Sequence, residues 1–143
     1  AKSINKMQGQ TTSANCSIAQ RAGLIALTGG NDDALSMKKE YLKRRNIVFD
    51  LLSKIDKIKV NKPQGAFYFF PEISNYLGNK TQDGKVLNSA NELALYLLEE
   101  AKVSLVPGED FGAPNCIRIS YAASEIELIE ATQRLEKSLS KLS

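Results

Sequence analysis

Two Ser-x-x-Glu signatures, Ser89…Glu92 and Ser124…Glu127, each open a run of apolar residues at helical spacing, and each follows two short β-type runs. In such a signature the Ser hydroxyl accepts the amide proton of the third helical residue while the Glu side chain reaches back, so the helix start is fixed locally. The first helix reads SANELALYLLEEAK. The second reads SEIELIEATQRLEKSLSKLS, with Leu128, Ala131, Leu135, Leu139 and Leu142 as its apolar stripe. The β-type runs are 58–60 and 66–70 before the first helix, and 103–106 and 116–122 before the second. Pro63-Gln64-Gly65 separates the first two, and Pro71 stops the second. The order strand, strand, helix, strand, strand, helix predicts an α/β unit of the α+β kind, a small sheet of about four strands covered by helices.

Two further helices precede that unit. TTSANCSIAQRAGLIALTGG reads as a helix over about 14–28, capped by Ser13 or Asn15 and stopped by Gly29-Gly30. A long helix follows over about 32–54. Asn31 or Asp32 is its cap, and Asp32 and Asp33 complement the helix dipole. Leu35, Leu42, Phe49 and Leu52 share one face, and Lys38, Lys39, Lys43, Arg44 and Arg45 form a basic run expected to be solvated. Neither helix fits inside the α+β unit. Residues 1–56 are therefore expected to link to a further domain, and 57–143 to form a small C-terminal domain. The chain opens on Ala1 in mid-pattern, which is the expectation for a piece of a longer chain.

Charge and composition exclude several functions. A net charge of +3, with lysines and arginines spread along helices, gives no basic stripe for nucleic acid. No apolar run reaches the roughly 18–20 residues that span a bilayer. The chain has no histidine, and Cys16 and Cys116 lie far apart, so no zinc site is expected. Without histidine, Ser-His-Asp and Cys-His constellations cannot be built from these residues. Reduced thiols in a cytoplasmic setting are expected.

Arg118 is the sharpest chemical feature. It interrupts the alternation Ile117, Ile119, Tyr121 and shares its face with the small residues Cys116, Ser120 and Ala122. An always-charged guanidinium on an otherwise apolar strand needs an anion, and its planar fork fits a carboxylate or phosphate through two parallel hydrogen bonds. A carboxylate of the same chain would serve equally well. Phe67 and Tyr68, just after Gly65, suit either a core or a ligand wall. GQTTSANCS suits capping or an anion at a helix start, and VPGEDFGAPN is a turn-rich loop.

In combination, QGQTTSANCSIAQRAGLIAL, PQGAFYFF, VSLVPGEDFG and CIRISYA resemble, in order and spacing, the C-terminal portion of class I, fold type I pyridoxal-phosphate aminotransferases. The likeness covers essentially all 143 residues and is greatest to the bacterial aspartate aminotransferase branch Ib. It implies transfer of an amino group between an amino acid, aspartate or glutamate foremost, and a 2-oxo acid. It implies pyridoxal 5'-phosphate as cofactor, a homodimer, and no nucleic-acid or membrane partner. It assigns Arg118 to the substrate α-carboxylate and Gly65, Phe67 and Tyr68 to the substrate entrance. It puts Gln10, Thr11 and Thr12 near the partner subunit's cofactor phosphate and leaves the V-P-G loop without chemistry. The Schiff-base lysine is implied upstream of Ala1, so no catalytic residue and no metal ligand is expected in this chain, and the chain alone is expected to be inactive. Aromatic or alanine aminotransferase specificity, or a small carboxylate-binding regulatory module, are the alternatives.

Overall fold

The sheet is built around the arginine strand. In the computed structural model, which describes residues 1–12 and 15–143, β3 (Ile117–Ser120) lies between β1 (Tyr68–Phe69) and β2 (Val106–Pro107), antiparallel to both. Tyr68 pairs with Ser120, Phe69 with Ile119, and Val106 with Arg118. The sheet thus has three strands among the described residues rather than about four. The expected strand at 58–60 reduces to a single bridge, Lys59 to Glu72. Lys59 and Glu72 exchange both backbone hydrogen bonds (3.2 and 2.9 Å). Residues 60–63 carry no regular structure, and no ladder forms.

The chain divides into two units, Ala1–Ser36 and Met37–Ser143. The division falls inside α3 (Asp32–Leu52). The reason is that Val48, Leu52 and Ile55 are buried in the core of the second unit.

The second unit holds that core. A serine cap forms at both predicted helix starts, but the reciprocal box closes only at the second. At α4 (Ala90–Ala101) the Ser89 hydroxyl accepts from the Glu92 amide at 3.1 Å, while the Glu92 carboxylate accepts from the Asn88 amide at 2.6 Å. At α5 (Glu125–Leu139) the reciprocal box is complete, with Ser124 N–H donating to the Glu127 carboxylate at 3.0 Å. The two helices pack on each other. Leu93 and Leu97 of α4, with Leu128, Leu135 and Leu139 of α5, are buried with Phe69, Ile117 and Ile119 of the sheet. Each fully buried side chain of this size contributes about 1.5–3 kcal/mol relative to exposure.

The basic run on α3 is only partly solvated. Lys43 pairs with Glu125 at 2.6 Å, Arg44 Nη1 donates to the Ala122 carbonyl at 3.1 Å, and Arg45 Nη1 donates to the Pro63 carbonyl at 3.0 Å. The cations tie α3 to the segments flanking β3 and β1, a long-range role that spacing along one helix does not show.

The first unit contains α1 (Lys2–Thr11), α2 (Ser17–Thr28) and the start of α3. The sequence did not predict α1, which has no buried residue. At the start of α2 the cap position is Cys16, without a side-chain cap bond. The Asn15 carbonyl instead accepts from the Gln20 side-chain Nε2 at 2.8 Å. The other expected cap, Ser13, lies outside the described residues. Among the described residues no helix is long and apolar enough to cross a membrane.

Candidate functional site

Strand alternation places Arg118 as expected. Ile117 and Ile119 are buried on one face of β3, while Arg118 is half-buried on the other and Ser120 is exposed. Among the described residues Arg118 makes no ion pair and no hydrogen bond; the ion pairs are Lys43–Glu125, Lys59–Glu72, Arg134–Glu130 and Lys141–Glu100. Its neighbours are rings. The guanidinium carbon lies 5.4 Å from the Tyr68 ring centroid and 4.8 Å from that of Phe111. Both are within the roughly 6 Å over which a cation is attracted to an aromatic face.

The sheet register explains Tyr68. Pairing of Tyr68 with Ser120 and of Glu72 with Cys116 carries Phe70 opposite Arg118. Side chains two apart on a strand share a face, so Tyr68 and Phe70 stand on the Arg118 side. Phe111 comes from the other neighbour, the short 3-10 turn Glu109–Phe111 between β2 and β3. It meets Phe70 edge-on, with centroids 6.0 Å apart at 87°.

That turn is held by Gly108. Its N–H donates to the Cys116 carbonyl at 2.9 Å, and its own carbonyl accepts from the amides of Phe111 and Ala113 at 3.0 Å. A Cβ on Gly108 would lie 2.1 Å from the Ala113 oxygen and 2.6 Å from the Cys116 oxygen. Glycine is required there by tertiary crowding, with an ordinary negative φ.

Gly65 and Phe67 lie apart from the Arg118 face. They line a hollow of about 310 Å³ with Tyr41, Arg45 and Tyr121. Phe67 is 53% exposed, with its ring edge-on to Tyr68 at 6.3 Å and tilted against Tyr41 at 6.4 Å. The left-handed residue of this turn is Ala66 (φ 59°), not the glycine before it. The Tyr121 hydroxyl donates to the Ala66 carbonyl at 2.8 Å, and burial pushes that phenol's pKa up.

Gln10, Thr11 and Thr12 belong to the first unit, at the C-terminal end of α1, and all three are exposed. Thr11 Oγ1 donates to the Met7 carbonyl and Thr12 Oγ1 to the Gln8 carbonyl, each at 2.8 Å. A helix C-terminus carries partial negative charge, and the two hydroxyl protons are already used.

The two thiols differ. Cys116, on the Arg118 strand, has its pKa raised by burial and by the nearby Glu72 carboxylate. Cys16 has its pKa lowered by the backbone amides of Ala19 and Ile18 at the start of α2.

Of the residues the sequence singled out, the structure brings together Arg118 and Tyr68. Sequence reading missed Phe111 and Phe70 as neighbours of the guanidinium. The signal for Phe70 was its place two residues after Tyr68. Phe111 gave none, since its approach depends on how the loop folds.

The family profile described as aminotransferase class I and II matches residues 1–135. An aspartate aminotransferase of Pinus pinaster is 43% identical over 137 residues, covering 94% of this chain and 28% of that protein. A probable aspartate/prephenate aminotransferase of Rickettsia felis is 39% identical over 142 residues, covering 99% of this chain and 35% of that protein. The crystal structure of the aspartate aminotransferase from Rhizobium meliloti superposes with a TM-score of 0.93 at 39% identity, covering 99% of this chain and 36% of that one. The chain spans about a third of the length of the curated relatives it matches.

Proposed function

Because the chain belongs to the class I and II aminotransferase family, we propose that it is the substrate-carboxylate-binding part of an enzyme that moves an amino group between aspartate or glutamate and a 2-oxo acid. The observation that carries this reading is Arg118. It is half-buried and always charged, and no described residue gives it an ion pair or hydrogen bond. A charge in that state is stabilised by an arriving carboxylate, and the guanidinium edge accepts one through two parallel charge-assisted bonds. The names of the relatives support aspartate as a substrate, and that of the Rickettsia felis relative adds prephenate.

Arg118 does its part by orientation. Holding the α-carboxylate seats the amino acid with the bond to be broken at Cα in one defined direction, a grip already made when the substrate binds and kept through the reaction. Tyr68 and Phe111 flank the guanidinium with their ring faces, which attract the cation without taking its N–H donors. Gly65 and Phe67 line the neighbouring hollow and are assigned to the substrate entrance.

The cofactor this reading requires is pyridoxal 5'-phosphate, whose ring supplies the electron sink of amino-group transfer. The described residues do not by themselves form its cradle. For Gln10, Thr11 and Thr12 to meet a phosphate on a partner subunit of a homodimer, the two hydroxyls must leave the carbonyls of Met7 and Gln8. The lysine that would hold the cofactor is assigned to the part of the protein outside these 143 residues. Residues 57–143, with the last turns of α3, are the small domain in this reading. A cytoplasmic setting belongs to the same reading.

The test is amino-group transfer from L-aspartate and L-glutamate to a 2-oxo acid by the full-length protein supplied with pyridoxal 5'-phosphate. Product amino acid is expected with either donor. No transfer from any amino acid to any 2-oxo acid would overturn the proposal.

A further inference from the structure

The loop between β2 and β3 supplies the ring nearest to Arg118. Phe111 is 51% exposed and stands outside the buried core. An exposed phenyl ring gains little from burial, yet the loop is built to hold it in place. Gly108 closes the turn through three backbone bonds within 3.0 Å, and no larger residue fits there without moving the Ala113 and Cys116 carbonyls. The ring so held sits with its centroid 4.8 Å from the Arg118 guanidinium carbon, closer than Tyr68 at 5.4 Å. Phe70 braces its edge at 6.0 Å.

Arg118 has four side-chain torsions and no hydrogen bond among the described residues to fix them. A carboxylate or amide partner would fix the guanidinium, but it would use up the N–H groups a substrate needs. A ring face attracts the cation through its quadrupole and accepts none of the five N–H donors in the ordinary way. Aromatic neighbours can therefore orient the fork and leave it fully armed.

We propose that Phe111 is a positioning residue for Arg118, fixing the plane of the guanidinium before the substrate carboxylate arrives. This rests on the reading of Arg118 as the carboxylate clamp. The preorganised fork binds any substrate bearing an α-carboxylate more tightly, in ground state and transition state alike. Removing the ring therefore raises KM for amino acid and 2-oxo acid together and leaves kcat nearly unchanged.

The experiment compares four full-length holoenzymes: wild type, Phe111→Leu, Phe111→Tyr and Arg118→Lys. Phe111→Leu keeps apolar bulk and loses the ring; its KM for both substrates is expected to rise on the order of tenfold, with kcat and Tm near wild type. Phe111→Tyr is expected to restore KM. A wild-type KM in Phe111→Leu, beside an impaired Arg118→Lys, overturns the role of Phe111 and leaves the clamp standing. A loss seen in Tm and kcat rather than KM, or one that Phe111→Tyr fails to restore, marks a merely structural ring and also overturns it. A wild-type Arg118→Lys overturns the clamp, and the role of Phe111 with it.

Discussion

The Tyr121 hydroxyl donates to the Ala66 carbonyl at 2.8 Å and so ties the end of the arginine strand to the left-handed turn that feeds β1. A non-glycine residue at φ 59° stays there only where its surroundings hold it. The Tyr121 amide adds a second bond, to the Phe67 carbonyl at 2.8 Å. Tyr121→Phe removes the first bond and keeps the ring. A loss of about 1 kcal/mol is expected, seen as a lower urea midpoint with an unchanged slope.

Gly108→Ala tests the loop. The added methyl would sit 2.1 Å from the Ala113 oxygen, so backbone must shift. Destabilisation of about 1–3 kcal/mol is expected, as for other insertions into tight packing. Calorimetry of wild type and variant checks it; an unchanged Tm would show that the turn is not held by close approach.

The capping box of α5 has a sign that can be checked by pH. The Ser124 hydroxyl and amide hold the Glu127 carboxyl below its usual pKa. A carboxyl with a lowered folded pKa stabilises the fold above its unfolded pKa and loses that contribution as pH falls through the folded value. Ser124→Ala should cost about 1 kcal/mol near neutrality through the lost cap. The difference from wild type should shrink as the solution is acidified through that range, measured by denaturant titration at several pH values.

The thiols should react in a fixed order. Cys16 is exposed with a lowered pKa, and Cys116 is part-buried with a raised one. Since thiolate is the nucleophile, iodoacetamide should label Cys16 first, and its advantage should be largest on the acid side of the thiol range. Peptide mass spectrometry at timed intervals reads this directly. Faster labelling of Cys116 would contradict the assigned environments.

The parts that sequence reveals here are those governed by neighbours along the chain. Ser124 and Glu127 are three residues apart, and their box forms as the spacing predicts. Ile117, Arg118 and Ile119 alternate, and burial follows the alternation. The expected strand at 58–60 failed because pairing is decided by the partner: Lys59 finds only Glu72. The basic run on α3 was read as solvated because its partners, Glu125, Ala122 and Pro63, are remote in sequence. Helix α1 lacks the buried stripe that periodicity detects. Phe111 lies seven positions from Arg118, and only the closure of the Gly108 turn brings them together.

The most direct test of the account is Arg118→Lys in the full-length enzyme. Lysine keeps the charge and loses the planar fork, so two parallel bonds to a carboxylate become one at best. Measured as kcat/KM for aspartate, glutamate and an aromatic donor, the variant should fall by about tenfold to a hundredfold for every donor, the worth of a charged hydrogen bond. An unchanged kcat/KM for all three would show that Arg118 does not grip the substrate.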